Sequence, residues 1–114
     1  MSKLAAKNCV PCRGGVPPLK GDELLQYHKE LPLWRVVQEH HLARTFLFKD
    51  FRSSLDLANR IGEVAESEGH HPDLCVSWGK LAVTIHTHKI NGLTESDFIL
   101  AAKIDELAGP PMID

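Results

Sequence analysis

The chain has 114 residues, 43% hydrophobic and 25% charged, which suits one soluble domain with a single core and makes self-association a natural source of extra stability. Thirteen Lys and Arg against fifteen Asp and Glu give a formal charge of -2, with no basic stripe to neutralise phosphates or anionic lipid, so direct nucleic-acid binding is not expected. No stretch approaches the roughly 20 apolar residues of a membrane span, and "MSKLAAKNCV" lacks an apolar core of signal-peptide length, so no membrane partner and a cytoplasmic location are expected.

The first twenty residues are crowded with Pro and Gly from Pro11 through Pro18, which predicts an extended N-terminal arm over 1–19 and a single domain over 20–114. Cys9, Cys12 and Cys75 are an odd count without an export signal, so reduced thiols are expected rather than a disulfide framework. "CVPC" has the C-x-x-C spacing of zinc or redox sites but lacks a second pair and a following helix. An arm packed on the domain is the plain reading; a zinc module of Cys9, Cys12 and two histidines is the alternative, and no metal is assigned.

Gly21 to Glu30, with Asp22 and Glu23 in front and Pro32 behind, predicts a short helix. Leu33 to His40 and His41 to Phe48 are β-branched and aromatic runs meeting at a polar seam, a hairpin pattern. From Asp50 the period changes. Phe51, Leu55, Ala58, Ile61 and Ala65, widened by Leu57 and Val64, mark the buried face of a helix from about Phe51 to about Glu68, stopped by Gly69 and Pro72. Leu74 to Trp78 and Lys80 to His88 give two further strands, and Asn91-Gly92 a turn. "TESD", Thr94 to Asp97, resembles a capping box ahead of an apolar stripe of Leu100, Ala101, Ile104, Leu107 and Ala108. The order α-β-β-α-β-β-α, with hairpin connections and no parallel crossover, predicts an α+β fold: a four-stranded antiparallel sheet with helices on one face.

His70 and His71 fall immediately beyond a helix C-terminus, whose partial negative charge favours a protonated imidazole, and Pro72 restrains the backbone that aims them. They are placed to hold and release protons near neutral pH. Glu66, one turn before His70, is placed to orient a ring, and His88 at the end of the last strand is a third candidate. Solvent exposure is the expected state of the other doublet, His40 and His41, and of His28 and His86.

The string from Glu66 to Phe98, "ESEGHHPDLCVSWGKLAVTIHTHKINGLTESDF", resembles the signature of the pterin-4a-carbinolamine dehydratases. That signature has an acid, three residues, His-His-Pro, an aromatic after five more, a histidine after nine more, and an aspartate after eight more; Glu66, His70, His71, Pro72, Trp78, His88 and Asp97 fill every slot. "FLFKDF", Phe46 to Phe51, and the element order extend the likeness over most of the body. The resemblance implies a hydro-lyase that removes water from 4a-hydroxytetrahydropterin to give the quinonoid dihydropterin. Expelling the hydroxyl needs a proton on the departing oxygen and loss of a ring-nitrogen proton, which histidines can manage without a cofactor. It further implies His70 and His88 as the proton-transfer pair and His71 as a binding and polarising residue. Glu66 is an expected orienter, and Trp78, Trp34 and Thr87 are expected to contact the pterin; Asp97 is read as a helix-start residue only.

The family also implies a homodimer or homotetramer and a functional link to an aromatic amino-acid hydroxylase. A dimerisation or coactivator module of the same fold, and a pterin role in molybdenum-cofactor metabolism, are the alternatives. For an interaction-only protein the three histidines would be dispensable.

Overall fold

The computed structural model describes residues 4–9 and 16–109. The chain runs α1 (Gly21–His28), β1 (Arg35–Val37), β2 (His41–Leu47), α2 (Phe51–Glu68), β3 (Asp73–Ser77), β4 (Lys80–Ile85), a 3-10 turn (His88–Ile90) and α3 (Glu95–Ala108). The four strands form one antiparallel sheet in the order β1-β2-β4-β3, so the expected α+β fold and element order are the ones found. Alternation along β4 buries Leu81, Val83 and Ile85 and leaves Ala82 and Thr84 on the other face, where β2 presents Ala43 and Thr45 as their register partners. α2 and α3 close over the buried side.

Three local differences from the sequence reading have physical causes. The first hairpin is shorter than predicted, because Gln38 and Glu39 both take left-handed φ, 53° and 54°. The turn is closed by the His40 N–H on the Val37 carbonyl at 2.9 Å. Such a turn matches strand twist but ordinarily selects Asn or Gly, which this sequence does not supply.

The second concerns α2. Its buried face is Ser54, Leu57, Ala58, Ile61 and Ala65, while Phe51 and Leu55 are 47% and 41% exposed, contrary to the predicted stripe. The Ser54 hydroxyl lies 2.8 and 3.0 Å from the carbonyls of Ser77 and Lys80, so the β3–β4 turn draws this polar residue inward and the two apolar neighbours rotate out. Asp50 caps the start by accepting the Ser53 N–H at 2.8 Å, and Gly69 at φ 66° ends the helix as predicted.

Third, β4 ends at Ile85, three residues before the predicted limit. Thr87 instead bridges to Gly92, with its N–H on the Gly92 carbonyl at 2.8 Å, and the chain between them forms the 3-10 turn. Position 92 must be glycine, since an added Cβ would come within 2.6 Å of Pro18 Cβ. α3 then begins at the predicted capping box and is buried all round in its middle, from Phe98 to Ala102, as befits a helix packed on several sides.

The described part of the arm packs on the helices. Leu4 and Ala5 are buried, Lys103 Nζ donates to the Ala5 carbonyl at 2.9 Å, and the Cys9 N–H donates to Glu68 Oε1 at 2.7 Å. Burial, followed by the Glu68 carboxylate, pushes the Cys9 thiol up to about 12, so it stays protonated at neutral pH. Cys12, its partner in the zinc and redox readings, lies outside the described residues.

Candidate active site

The end of α2 and the start of α3 meet through one carboxylate. Gly69 and the His70 N–H both turn back onto the Ala65 carbonyl, the latter at 3.2 Å, which swings the chain out of the helix and delivers the His70 ring toward α3. His70 Nε2 lies 2.6 Å from Oδ1 of Asp97, which is fully buried; the His70 side chain is 13% exposed. The second Asp97 oxygen accepts the Thr94 backbone N–H at 2.7 Å and the Thr87 hydroxyl at 2.8 Å. With the Thr87 proton committed to Asp97, the Thr94 hydroxyl, 3.1 Å away, donates to Thr87.

Both oxygens of the buried carboxylate are thus met by donors, three in all, the condition under which an ionised carboxylate can stay inside a protein. An ionised Asp97 can only accept, so in this contact His70 donates from Nε2, and Nδ1 is the ring nitrogen turned away from the carboxylate. The reading of Asp97 as a helix-start residue only is therefore corrected. It is a capping-box residue and the partner of His70 at once, and the only trace of this in the sequence is its slot in the spaced motif.

His71 points elsewhere. Its Nε2 sits 2.5 Å from Glu66 Oε2, and both side chains are largely exposed. Glu66, expected one turn before His70 as a possible orienter of that ring, faces His71 instead. His88 opens the 3-10 turn rather than ending a strand, and its exposed ring rests 4.0 Å from that of His86, centroid to centroid. The intervening Thr87 is buried and shares Asp97 with His70, so the two predicted proton-transfer residues flank a single buried carboxylate network.

Of the three expected substrate contacts, Thr87 belongs to this network and the two tryptophans lie away from it. Thr87 has its hydroxyl spent on Asp97 and Thr94. Trp78 is 73% exposed in the β3–β4 turn, and β3 runs its whole length from the His71 end to reach it, about 17 Å for five strand residues. Trp34 is 1% exposed in the core, edge-on to Phe46, with its indole N–H on Asp105 Oδ1 at 2.8 Å, so it has no surface to offer a ligand.

Sequence reasoning also passed over four histidines as solvent-exposed. All four are half-buried and partnered. His28 Nε2 reaches the Trp34 carbonyl at 2.7 Å. His40 Nδ1 meets His41 Nδ1 at 3.0 Å, and the His40 ring packs 4.6 Å from that of His86. The signal that could have found the neighbourhood of the last contact is register: Leu42 pairs with Ile85, and continuing one step past that pair sets the His40–His41 doublet beside His86. Burial first, and then neighbouring cationic groups, hold His41 and His86 below the usual imidazole range.

Comparison with known proteins places this geometry in context. Residues 17–107 match the family model described as pterin 4 alpha carbinolamine dehydratase. A relative from Rubrobacter xylanophilus that bears the pterin-4-alpha-carbinolamine dehydratase name is 61% identical over 107 residues, covering 94% of this chain and all of that protein. One from Alkaliphilus metalliredigens with the same name is 52% identical, covering 93% and 96%. The crystal structure of a transcriptional coactivator/pterin dehydratase from Brucella melitensis superposes with a TM-score of 0.76 at 31% identity, covering 81% of this chain and 99% of that one.

Proposed function

The chain belongs to the pterin 4 alpha carbinolamine dehydratase family, and on that premise we propose that it dehydrates 4a-hydroxytetrahydropterin by histidine acid–base catalysis, in the recycling of tetrahydropterin. The observation that carries this reading is the Asp97 network, in which one buried carboxylate holds His70 directly and also holds Thr87, the residue that precedes His88 in the chain. Departure of the 4a hydroxyl needs a proton on oxygen, and the new double bond needs a ring-nitrogen proton removed. With Nε2 held by Asp97, His70 transfers a proton through Nδ1, and the carboxylate stabilises the imidazolium that exists before or after the transfer. His88 is the second proton-transfer residue. His71, aimed by Glu66 at the rim, binds and polarises the pterin.

The dehydratase unit is residues 20–114 with 1–19 as an arm, a division supported by the family match beginning at residue 17. β1 and β3 are sheet edges, and edge pairing between copies would give the homodimer or homotetramer expected of the family; a monomeric mass in solution would count against it. A functional link to an aromatic amino-acid hydroxylase follows from the recycling role.

The test is the dehydration rate of freshly generated 4a-hydroxytetrahydropterin with the intact protein and with folded His70→Ala and His88→Ala variants. Acceleration by the intact protein and loss of most of it in either variant is the expected result. Three rates equal to the uncatalysed one would end the enzymatic reading.

A further inference from the structure

His88 is an exposed ring on a three-residue turn, yet a proton-transfer group must be held to within a fraction of an ångström of its target. Four contacts close a circuit around it. His88 packs on His86 with ring centroids 4.0 Å apart and planes at 49°, and His86 packs on His40 at 4.6 Å and 36°. His40 Nε2 meets Asn91 Oδ1 at 2.8 Å, and Asn91 closes the turn that His88 opens, its N–H on the His88 carbonyl at 3.2 Å. Asn91 takes the left-handed conformation there, φ 51°, which a short polar side chain tolerates best.

We infer that His86, His40 and Asn91 are positioning residues: a brace of tilted rings packed against one another, anchored on the far end of the same turn, that fixes the orientation of the His88 ring. This inference rests on the acid–base reading of His88. Flat rings with few torsions suit the task, because little side-chain entropy is lost in holding them.

Proton bookkeeping supports the brace. His40 donates through Nε2 to the Asn91 oxygen, so its neutral form carries a lone pair at Nδ1 and accepts from His41 Nδ1–H. The 3.0 Å contact between these two nitrogens holds one proton, and a second would set two N–H groups against each other. The charged groups that act on His86 are His88 on the turn, His40 on the hairpin, Asp97 on α3 and Asp73 on β3; those that act on His41 are His40 and Arg35 on β1. Burial holds His41 and His86 below the usual imidazole range, so these two rings of the row take up protons only at more acid pH.

The experiment compares the wild type with His86→Ala, His86→Phe, Asn91→Ala and His88→Ala. Dehydration kinetics across pH are measured together with the line width and order of the His88 ring signal by NMR. His86→Ala and Asn91→Ala are expected to lower kcat about tenfold with KM within about twofold, and to increase the mobility of the His88 ring. His86→Phe, which keeps a flat ring and removes a titrating group, restores most of kcat and extends activity to lower pH. An unchanged kcat with an equally ordered His88 ring in His86→Ala would overturn the brace. Full activity in His88→Ala would overturn the acid–base reading instead, and the ring signal would still decide the brace on its own.

Discussion

The chain carries two adjacent histidine pairs, and they are built in opposite ways. His70 and His71 each meet a carboxylate, Asp97 from within the core and Glu66 from the rim, whereas His40 and His41 meet each other. A carboxylate fixes which ring nitrogen holds the proton and supports the charge formed when a second arrives. An imidazole partner does the reverse, since the contact survives only while one proton is absent. The first pair has carboxylate partners that can orient each ring, and the second has rings set edge-on to each other at 83°. What separates them is the element that supplies the partner: the start of α3 for His70 and the end of α2 for His71, but the neighbouring residue for His40 and His41.

The strongest attack on that contrast is to remove the buried carboxylate. Asp97→Ala leaves the Thr94 N–H, the Thr87 hydroxyl and His70 without their acceptor and should cost about 3 kcal/mol of stability. Asp97→Asn keeps the shape and one acceptor oxygen, so it should stay folded yet lose about 10²- to 10⁴-fold in kcat, because an amide turned toward His70 no longer fixes its tautomer. Wild-type kcat in a folded Asp97→Asn would show that the two doublets do not differ in the way claimed.

A second measurement sharpens the contrast through pH. His41 and His86 titrate below the usual imidazole value in the folded state, chiefly through burial. Between that lowered value and the unfolded one of about 6.5 the unfolded chain binds more protons. Their contribution is therefore complete above about 6.5 and is lost as pH falls below it. Urea midpoints at pH 7.5 and 5.5 should show the drop, and a His41→Gln, His86→Gln double variant should show a smaller one. An equal drop in both proteins would place the acid sensitivity elsewhere.

The two pairs also differ in how far the sequence reveals them. Gly69 and Pro72 stop α2 by local backbone chemistry, so the placement of His70 and His71 could be read directly, as could the helix boundaries and the capping box. The partner of His70 could not, because α2 and α3 approach each other only through packing, and Asp97 already had a sufficient local reason to exist. The His40–His86 contact needed the β2–β4 register, which hydrophobic alternation leaves open to the step of the turn. Ser54 shows the same limit on a smaller scale: its hydroxyl reaches two carbonyls of the β3–β4 turn, and that polar contact, invisible to periodicity, re-aims the first turn of α2.

The mildest perturbation separates the two members of the first pair. Glu66 and His71 touch at 2.5 Å but stand in water, where an ion pair is screened and ordering two side chains offsets most of its attraction. Glu66→Gln should therefore change stability by less than about 1 kcal/mol. With His71 in its proposed role of binding and polarising the pterin, the same variant should raise KM by no more than about threefold, with kcat nearly unchanged. The KM effect should shrink further in high salt, since the contact it removes is already screened there. A large fall in kcat would instead move Glu66 and His71 from the rim of the site to its chemistry, and the functional divide would then run between the doublets alone, not within the first of them.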